Sequence, residues 1–200
     1  MSLNKIAPTL KTGKEILVYK TQTLQFSLLD FWRWSVSDIL SNATRGRFAE
    51  FIVATAVNVN IQKVREEWGP FDLETPDKIK IEVKSAAFLQ SWDQLELSRI
   101  TFSTKLSKPW DWEIDKRSTI AVRSADVYVF CLLHHSDKLT VDPLNLDQWE
   151  FYVLATSELN NYERSQHSIT LKSLKGLTQA IPYDRIDEEV KGKGIFYSKE

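Results

Sequence analysis

The chain has 200 residues, of which 42% are hydrophobic and 26% are charged, and its formal net charge is −1 at pH 7. This length fits one domain, residues 1–200, and the composition excludes a disordered chain. The near-neutral charge excludes a coat protein that binds nucleic acid through bulk positive charge, although a metal ion or a local basic patch can still attract it. No apolar run reaches the ~20 residues of a membrane span, and the single cysteine, Cys131, excludes an intramolecular disulfide. We therefore expect a cytoplasmic protein with no membrane association.

The first quarter of the chain predicts an arm followed by two helices. Residues 1–25 are mixed and lysine-bearing, which indicates an arm or short strand packed on the domain. Residues 26–40 carry apolar side chains at helical spacing with a broad apolar face, and cap-forming residues follow at 41–44. A second helix is predicted from Arg45 to Asn58, with Glu50 near the margin of its apolar face.

The rest of the chain predicts strands with short connecting elements. Apolar and charged residues alternate over 79–85, which favours a strand with one core face and one wet, charged face. A helix is predicted around 91–98, and residues 106–118 form a tryptophan-bearing excursion. The later predictions are a strand at 125–133 covered on both faces, a strand at 149–155, a helical turn at 156–159 and a minor strand at 169–171. This order predicts an α/β or α+β fold with a mixed sheet.

A predicted hairpin brings together residues that suit phosphodiester hydrolysis. Asp72 follows a Gly-Pro break, and Glu82-Val83-Lys84 lies ten residues later on the alternating strand. Mg²⁺ prefers oxygen ligands, so Asp72, Glu82 and the Val83 carbonyl are candidate ligands. Lys84 lies on the same face as Glu82 and is placed to orient a water or stabilise charge in the transition state.

The length of the hairpin loop decides whether these groups meet. A two-residue loop at Pro76-Asp77 pairs Asp72 with Ile81 and turns its carboxylate toward the core, which is costly. A three-residue loop at 76–78 instead places Asp72 opposite Glu82. The site hypothesis therefore predicts an odd loop or a bulge. The competing interpretation is an ordinary solvated strand face, because Glu-x-Lys tripeptides are common.

The wider pattern resembles the PD-(D/E)XK nuclease superfamily. Pro70-Phe71-Asp72 is similar to its first motif with one residue inserted, and Glu82-Val83-Lys84 matches the (D/E)-x-K half. The segment 45–51 resembles the preceding helix, with Glu50 at the place of its glutamate. The resemblance covers about residues 36–155 and implies a restriction-endonuclease-like αβββαβ core, with a central mixed sheet flanked by helices.

This resemblance implies a role for each matching residue. Asp72 and Glu82 would bind Mg²⁺ or Mn²⁺, Lys84 would assist the water, and Glu50 would contact the metal directly or through water. Some branches place a glutamine after the lysine, and Gln90 and Gln94 are both candidates for contact with DNA or the metal shell.

Other residues leave alternatives open. Arg45 and Arg47 near a helix N-terminus, and Ser85 beside Lys84, are candidate phosphate or DNA contacts or plain structural residues. Trp110 and Trp112 either stack on bases or pin the excursion to the protein. The histidines indicate no catalytic centre; they are His134, His135 and His167.

We expect from the sequence a magnesium-dependent endonuclease that acts on DNA. A non-cleaving DNA-binding or assembly module with the same fold is the main alternative, and a homodimeric scaffold with tryptophans in its interface is a third. Either a homodimer or a partner protein is compatible with the sequence.

Overall fold

A computed structural model describes residues 6–67, 69–108, 110–111 and 116–194. Within these residues the strands are β1 (Ile16–Tyr19), β2 (Gln22–Ser27), β3 (Leu73–Glu74), β4 (Lys80–Ala87), β5 (Thr101–Ser103), β6 (Trp110–Asp111), β7 (Lys116–Arg117), β8 (Val127–Leu133), β9 (Trp149–Ala155) and β10 (Ser168–Thr170). The α-helices are α1 (Leu28–Val36), α2 (Asn42–Ala56), α3 (Thr156–Asn160), α4 (Leu171–Lys175) and α5 (Ile186–Gly194).

The central sheet has four strands in the order β3-β4-β8-β9. Strands β3 and β4 are antiparallel, β4 and β8 are parallel, and β8 and β9 are antiparallel, so the sheet is mixed. Strand β8 is buried along its whole length because it has a neighbouring strand on each edge and packed side chains on both faces. The prediction of a central, doubly covered strand at 125–133 is therefore confirmed.

Alternate residues of β8 enter two separate hydrophobic clusters. One cluster joins the sheet to α2 and α5, and the other joins it to β5, β10, α3 and α4. Because Ile81 and Val83 belong to the first cluster, Glu82 and Lys84 lie on the opposite face of β4. That face is half-buried rather than wet, since only 22% of the Glu82 side chain and 28% of the Lys84 side chain are exposed.

The hairpin between β3 and β4 has the three-residue loop that the site hypothesis requires. Leu73 pairs with Ile81, and the Thr75 amide donates to the Ile79 carbonyl over 3.0 Å. The Asp72 amide also donates to the carbonyl of Ile81, at 3.0 Å, which ties the residue before β3 to β4. The prediction was an odd loop or a bulge; the odd loop is confirmed, and Asp72 lies beside Glu82.

The N-terminal residues form a small unit with an exposed apolar surface. Strands β1 and β2 pair through a two-residue turn in which Lys20 and Thr21 both have positive φ angles. Helix α1 starts at Leu28 behind a capping box made by Ser27 and Asp30, and none of its residues is buried. Trp34 is 85% exposed. The predicted helix over 26–40 exists in shortened form, but neither this helix nor the described part of the arm, residues 6–25, buries a side chain.

Some predicted elements differ from the structure. No helix forms at 91–98. The segment is irregular because the Gln90 and Gln94 side chains tie it to the end of β4, through the Ala87 and Phe88 carbonyls, and to the Ser98 hydroxyl. Helix α2 begins three residues earlier than predicted and ends two residues earlier. The excursion at 106–118 contains the short β6–β7 ribbon, and Trp112 lies outside the described residues.

The mixed α/β fold with a central mixed sheet flanked by helices agrees with the sequence analysis. The αβββαβ core stays a prediction, because the described part of the connection from β4 to β8 contains no helix. The predicted helical turn and minor strand are present as α3 and β10. No helix in the described ranges has the length and apolar character needed to cross a membrane.

The hairpin loop gives a direct test of the fold. Lys78 has φ +69°, a left-handed conformation that costs a non-glycine residue about 1 kcal/mol. We expect Lys78→Gly to raise the free energy of unfolding by about 0.5 kcal/mol, the gain being partly cancelled by the greater freedom of glycine in the unfolded chain. Its exposed ion pair with Glu74 contributes little. Urea unfolding measures the difference.

Asp77→Gly is the matched control, because Asp77 is the adjacent loop residue and has no positive φ. We expect this variant to be less stable than the wild-type protein by about 0.5 kcal/mol. Equal effects of the two glycine substitutions would contradict the loop conformation on which the register depends.

Candidate active site

Three elements, β3, β4 and α2, position the candidate site residues. Asp72 immediately precedes β3, Glu82 and Lys84 lie on the facing strand β4, and Glu50 comes from α2, which packs against β4. The short hairpin fixes the first three, and the buried face of α2 fixes the fourth. The structure therefore brings Asp72, Glu82 and Lys84 together, and it places Glu50 close enough to be electrostatically coupled to them.

Asp72 is held in place by the backbone of the neighbouring strand. Its Oδ2 accepts a hydrogen bond from the Val83 amide at 2.8 Å, and the residue is half-buried. This bond uses one carboxylate oxygen and leaves the other for a ligand. Asp72 is thus fixed beside Glu82 by the residue between Glu82 and Lys84.

Glu82 and Lys84 form an ion pair on one face of β4. The Lys84 ammonium donates to Glu82 Oε1 at 2.5 Å. Burial and the neighbouring charge of Asp72 raise the pKa of Glu82 above its ordinary value, while Lys84 acts in the opposite direction. Tyr128 is the ladder partner of Glu82, and burial, reinforced by the charge of Glu82, raises the pKa of Tyr128 to about 12. The phenol is therefore neutral at pH 7.

Glu50 is bound by an arginine that the sequence analysis did not select. Arg65 donates Nε to Glu50 Oε2, and its Nη2 lies 3.0 Å from Oε1, so the pair is bidentate. Burial raises the pKa of Glu50, and the charge of Asp72 raises it further, against the lowering effect of Arg65. Arg65 lies in a segment without regular periodicity, so only its charge marked it in the sequence.

A cleft of about 560 Å³ opens beside these acids and contains both Glu50 and Asp72 in its wall. Phe51 of α2, half exposed, supplies an apolar patch, and Arg47 supplies an exposed positive charge. The remaining cations in its wall are Lys63, Arg65 and Lys78. The wall also carries the carboxylates of Glu66 and Glu74, so its positive and negative charges are balanced, and Glu82 and Lys84 are not part of it.

The other predicted contact residues divide between surface and interior. Arg47 is exposed beside the cleft, where it also lies 3.5 Å from Glu67. Arg45 is only 3% exposed: its guanidinium donates to the Leu40 carbonyl at 2.6 Å and to Ser85 Oγ at 3.3 Å. Its remaining donors bind Asn42 and Gln90. Arg45 and Ser85 therefore brace the inner end of β4 in this structure.

Both candidate glutamines are occupied within the 88–98 segment. Gln90 is buried and donates to the Ala87 carbonyl at 3.0 Å, while Gln94 accepts from the Gln90 amide at 2.7 Å. The side-chain amides of both glutamines are thus occupied by partners within or beside this segment. Neither glutamine is placed to contact the acids or their ligand in this structure. Their visible role is to shape the loop that follows β4.

The donor set fits a hard divalent cation at Asp72 and Glu82. Two carboxylates with an adjacent backbone carbonyl at Val83 are suitable ligands for Mg²⁺, which commonly completes its shell with water and phosphate oxygens. Within the residues that the structure describes, no three His, Cys, Asp or Glu side chains are grouped to hold a metal ion. The bidentate bond to Arg65 directs Glu50 elsewhere, so the fit rests on two carboxylates.

One family model matches most of the chain. The family is described as Bacteriophage T4 endonuclease IV, and the match covers residues 3–173. It includes the hairpin, α2 and the buried strand β8, and it indicates an endonuclease. No curated protein matches the chain.

The raised pKa of Glu82 predicts how stability changes when this carboxylate is removed. Its folded pKa lies above the ordinary 4.5, so the charged form disfavours folding at neutral pH. Neutral Glu82 therefore contributes stability below pH 4.5, and this contribution is lost as the pH rises through the pKa of Glu82 in the folded protein. We therefore expect Glu82→Gln to have a higher melting temperature than the wild type at pH 7 in EDTA, and no such gain below pH 4.5. The glutamine oxygen can still accept from Lys84.

Glu74→Gln provides the control, since Glu74 lies on the same hairpin and pairs only with the exposed Lys78. Its free energy of unfolding should change by no more than about 0.5 kcal/mol. A melting temperature of Glu82→Gln that is lower than the wild-type value at pH 7 would show that the Lys84 ion pair outweighs the cost of burial.

Proposed function

The chain belongs to the bacteriophage T4 endonuclease IV family, and on that premise we propose that it is a metal-dependent endonuclease that hydrolyses DNA phosphodiester bonds by a PD-(D/E)XK-type mechanism. The observation that carries this proposal is the hairpin register, which sets Asp72 beside the Glu82-Lys84 pair. The sequence resemblance to the PD-(D/E)XK superfamily supports the same assignment.

In this proposal Asp72, Glu82 and the Val83 carbonyl hold Mg²⁺ or Mn²⁺. When bound, the ion supplies charge stabilisation at the phosphate and lowers the pKa of a coordinated water. The two half-buried carboxylates are suited to this because their mutual repulsion, seen in the effect of Asp72 on Glu82, is relieved by a cation.

Lys84 is the proposed catalytic cation. Its ammonium has three donors, of which one is used by Glu82. The remaining donors can orient the attacking water and stabilise the negative charge that develops on the phosphate oxygens. Attack in line with the bond to the 3′ oxygen breaks that bond and leaves a 5′-phosphate and a 3′-hydroxyl.

The cleft beside Glu50 and Asp72 is the proposed DNA path. Arg47 on its wall can contact backbone phosphate, and exposed Phe51 offers a surface for the apolar parts of the nucleotide. Phosphate contacts of this kind position the backbone without reading sequence. The substrate in this proposal is therefore DNA selected by the shape of the cleft and by proximity to the acids.

A non-cleaving DNA-binding module is the second candidate function. It is favoured by the absence, in the described ranges, of a three-acid metal group and by the engagement of Glu50 with Arg65. This alternative predicts DNA binding without turnover in Mg²⁺ or Mn²⁺, so the same cleavage assay separates the two.

Removal of the Lys84 ammonium tests the proposed mechanism. We expect Lys84→Ala to lower kcat by about 100-fold or more on single-stranded and duplex DNA in Mg²⁺, because water orientation and charge stabilisation are lost together. Gel-based cleavage assays at saturating DNA measure this, and a binding assay should show DNA affinity within a few-fold of wild type.

Lys80→Ala is the matched control, because Lys80 lies on the same face of the same strand and its exposed ammonium contacts only the Phe71 ring, 5.6 Å away. We expect its kcat to stay within a few-fold of the wild-type value. A Lys84→Ala protein that cuts as well as the wild type would contradict the proposed role, and a wild-type protein that cuts neither DNA form would contradict the nuclease itself.

A further inference from the structure

We propose that Arg65 is a resident cation that competes with the divalent metal ion for Glu50. This inference rests on the proposed metal-dependent function. It concerns a residue that neither the superfamily resemblance nor the family match assigns, and it is carried by the contacts of the guanidinium with Glu50 and Glu67.

The contact between Arg65 and Glu50 occupies both oxygens of the carboxylate. Nε donates to Oε2 and Nη2 to Oε1, and only 13% of the Glu50 side chain is exposed. A half-buried carboxylate that receives a bidentate guanidinium is oriented toward it. This geometry explains why Glu50 does not join Asp72 and Glu82 in one ligand group.

The charges around the site make the two cations alternatives. Glu50, Asp72 and Glu82 together carry three negative charges and are electrostatically coupled, while Lys84 and Arg65 supply two positive charges. Adding a divalent ion turns a net charge of about −1 into about +1 while Arg65 stays in place. Displacement of Arg65 from Glu50 restores the balance and gives the ion a further carboxylate.

Glu67 provides Arg65 with a second anchor. Arg65 Nη1 donates to Glu67 Oε2 at 2.7 Å, and 54% of the Glu67 side chain is exposed. The guanidinium can therefore leave Glu50 and stay paired at the cleft wall, so displacement does not strand a buried charge. About one third of the Arg65 side chain is already exposed to solvent, which agrees with such an outward position.

Binding of Mn²⁺ in the absence of DNA tests the inference, with free Mn²⁺ followed by electron paramagnetic resonance. We expect Arg65→Gln to bind Mn²⁺ about fivefold or more tightly than the wild type, because the competing charge is gone. The gain should disappear when Glu50→Gln is added to Arg65→Gln, since the effect acts through Glu50. Arg65→Lys, which keeps the charge but loses the bidentate bond, should fall between Arg65→Gln and the wild type.

Arg185→Gln is the control, because Arg185 forms an exposed ion pair with Glu188, 2.9 Å away, in a different part of the chain. Its Mn²⁺ affinity should equal the wild-type value. If the wild type binds Mn²⁺ and Arg65→Gln binds it equally or more weakly, the inference on Arg65 is overturned while the proposed nuclease stands. If neither protein binds Mn²⁺, both are overturned.

Discussion

The register between β3 and β4 is the constraint on which the candidate site depends. A loop shorter by one residue would turn Asp72 toward the hydrophobic cluster under the sheet and separate it from Glu82. Three features hold the observed register: the left-handed conformation of Lys78, the bond from the Asp72 amide to the Ile81 carbonyl and the bond from the Val83 amide to the Asp72 carboxylate. The Val83 amide therefore both supports the strand pairing and orients a candidate catalytic carboxylate.

Electrostatic balance is the second requirement, and it follows from where the register places the acids. Burial raises the pKa of Glu50 and of Glu82, and the charge of Asp72 adds to both effects. Such an arrangement disfavours folding at neutral pH, and Lys84 and Arg65 offset this cost in part. Burying several carboxylates together costs folding free energy, so such clusters are expected where their charge is needed for chemistry rather than for structure.

The sequence predicted the features that follow from local pattern. The buried strand β8 is visible in the sequence as a continuous apolar run. The sequence also predicted that Asp72 and Glu82 meet only if the hairpin loop has an odd length, and the loop in the structure has three residues. The helix predicted at 91–98 failed because side-chain bonds from Gln90 and Gln94 shape that segment, and such bonds leave no periodic signal. The role of Arg65 was missed for a related reason. Its contact with Glu50 spans an irregular segment, and only the folded chain brings the two together.

The central claim is that Asp72 and Glu82 together bind a divalent metal ion. A crystal structure of the protein soaked in Mn²⁺, with anomalous diffraction data collected at the manganese edge, tests it most directly. We expect an anomalous peak within coordination distance of both carboxylates and beside the Val83 carbonyl. A structure with both carboxylates in the described positions, but with manganese bound only elsewhere or not at all, would contradict it.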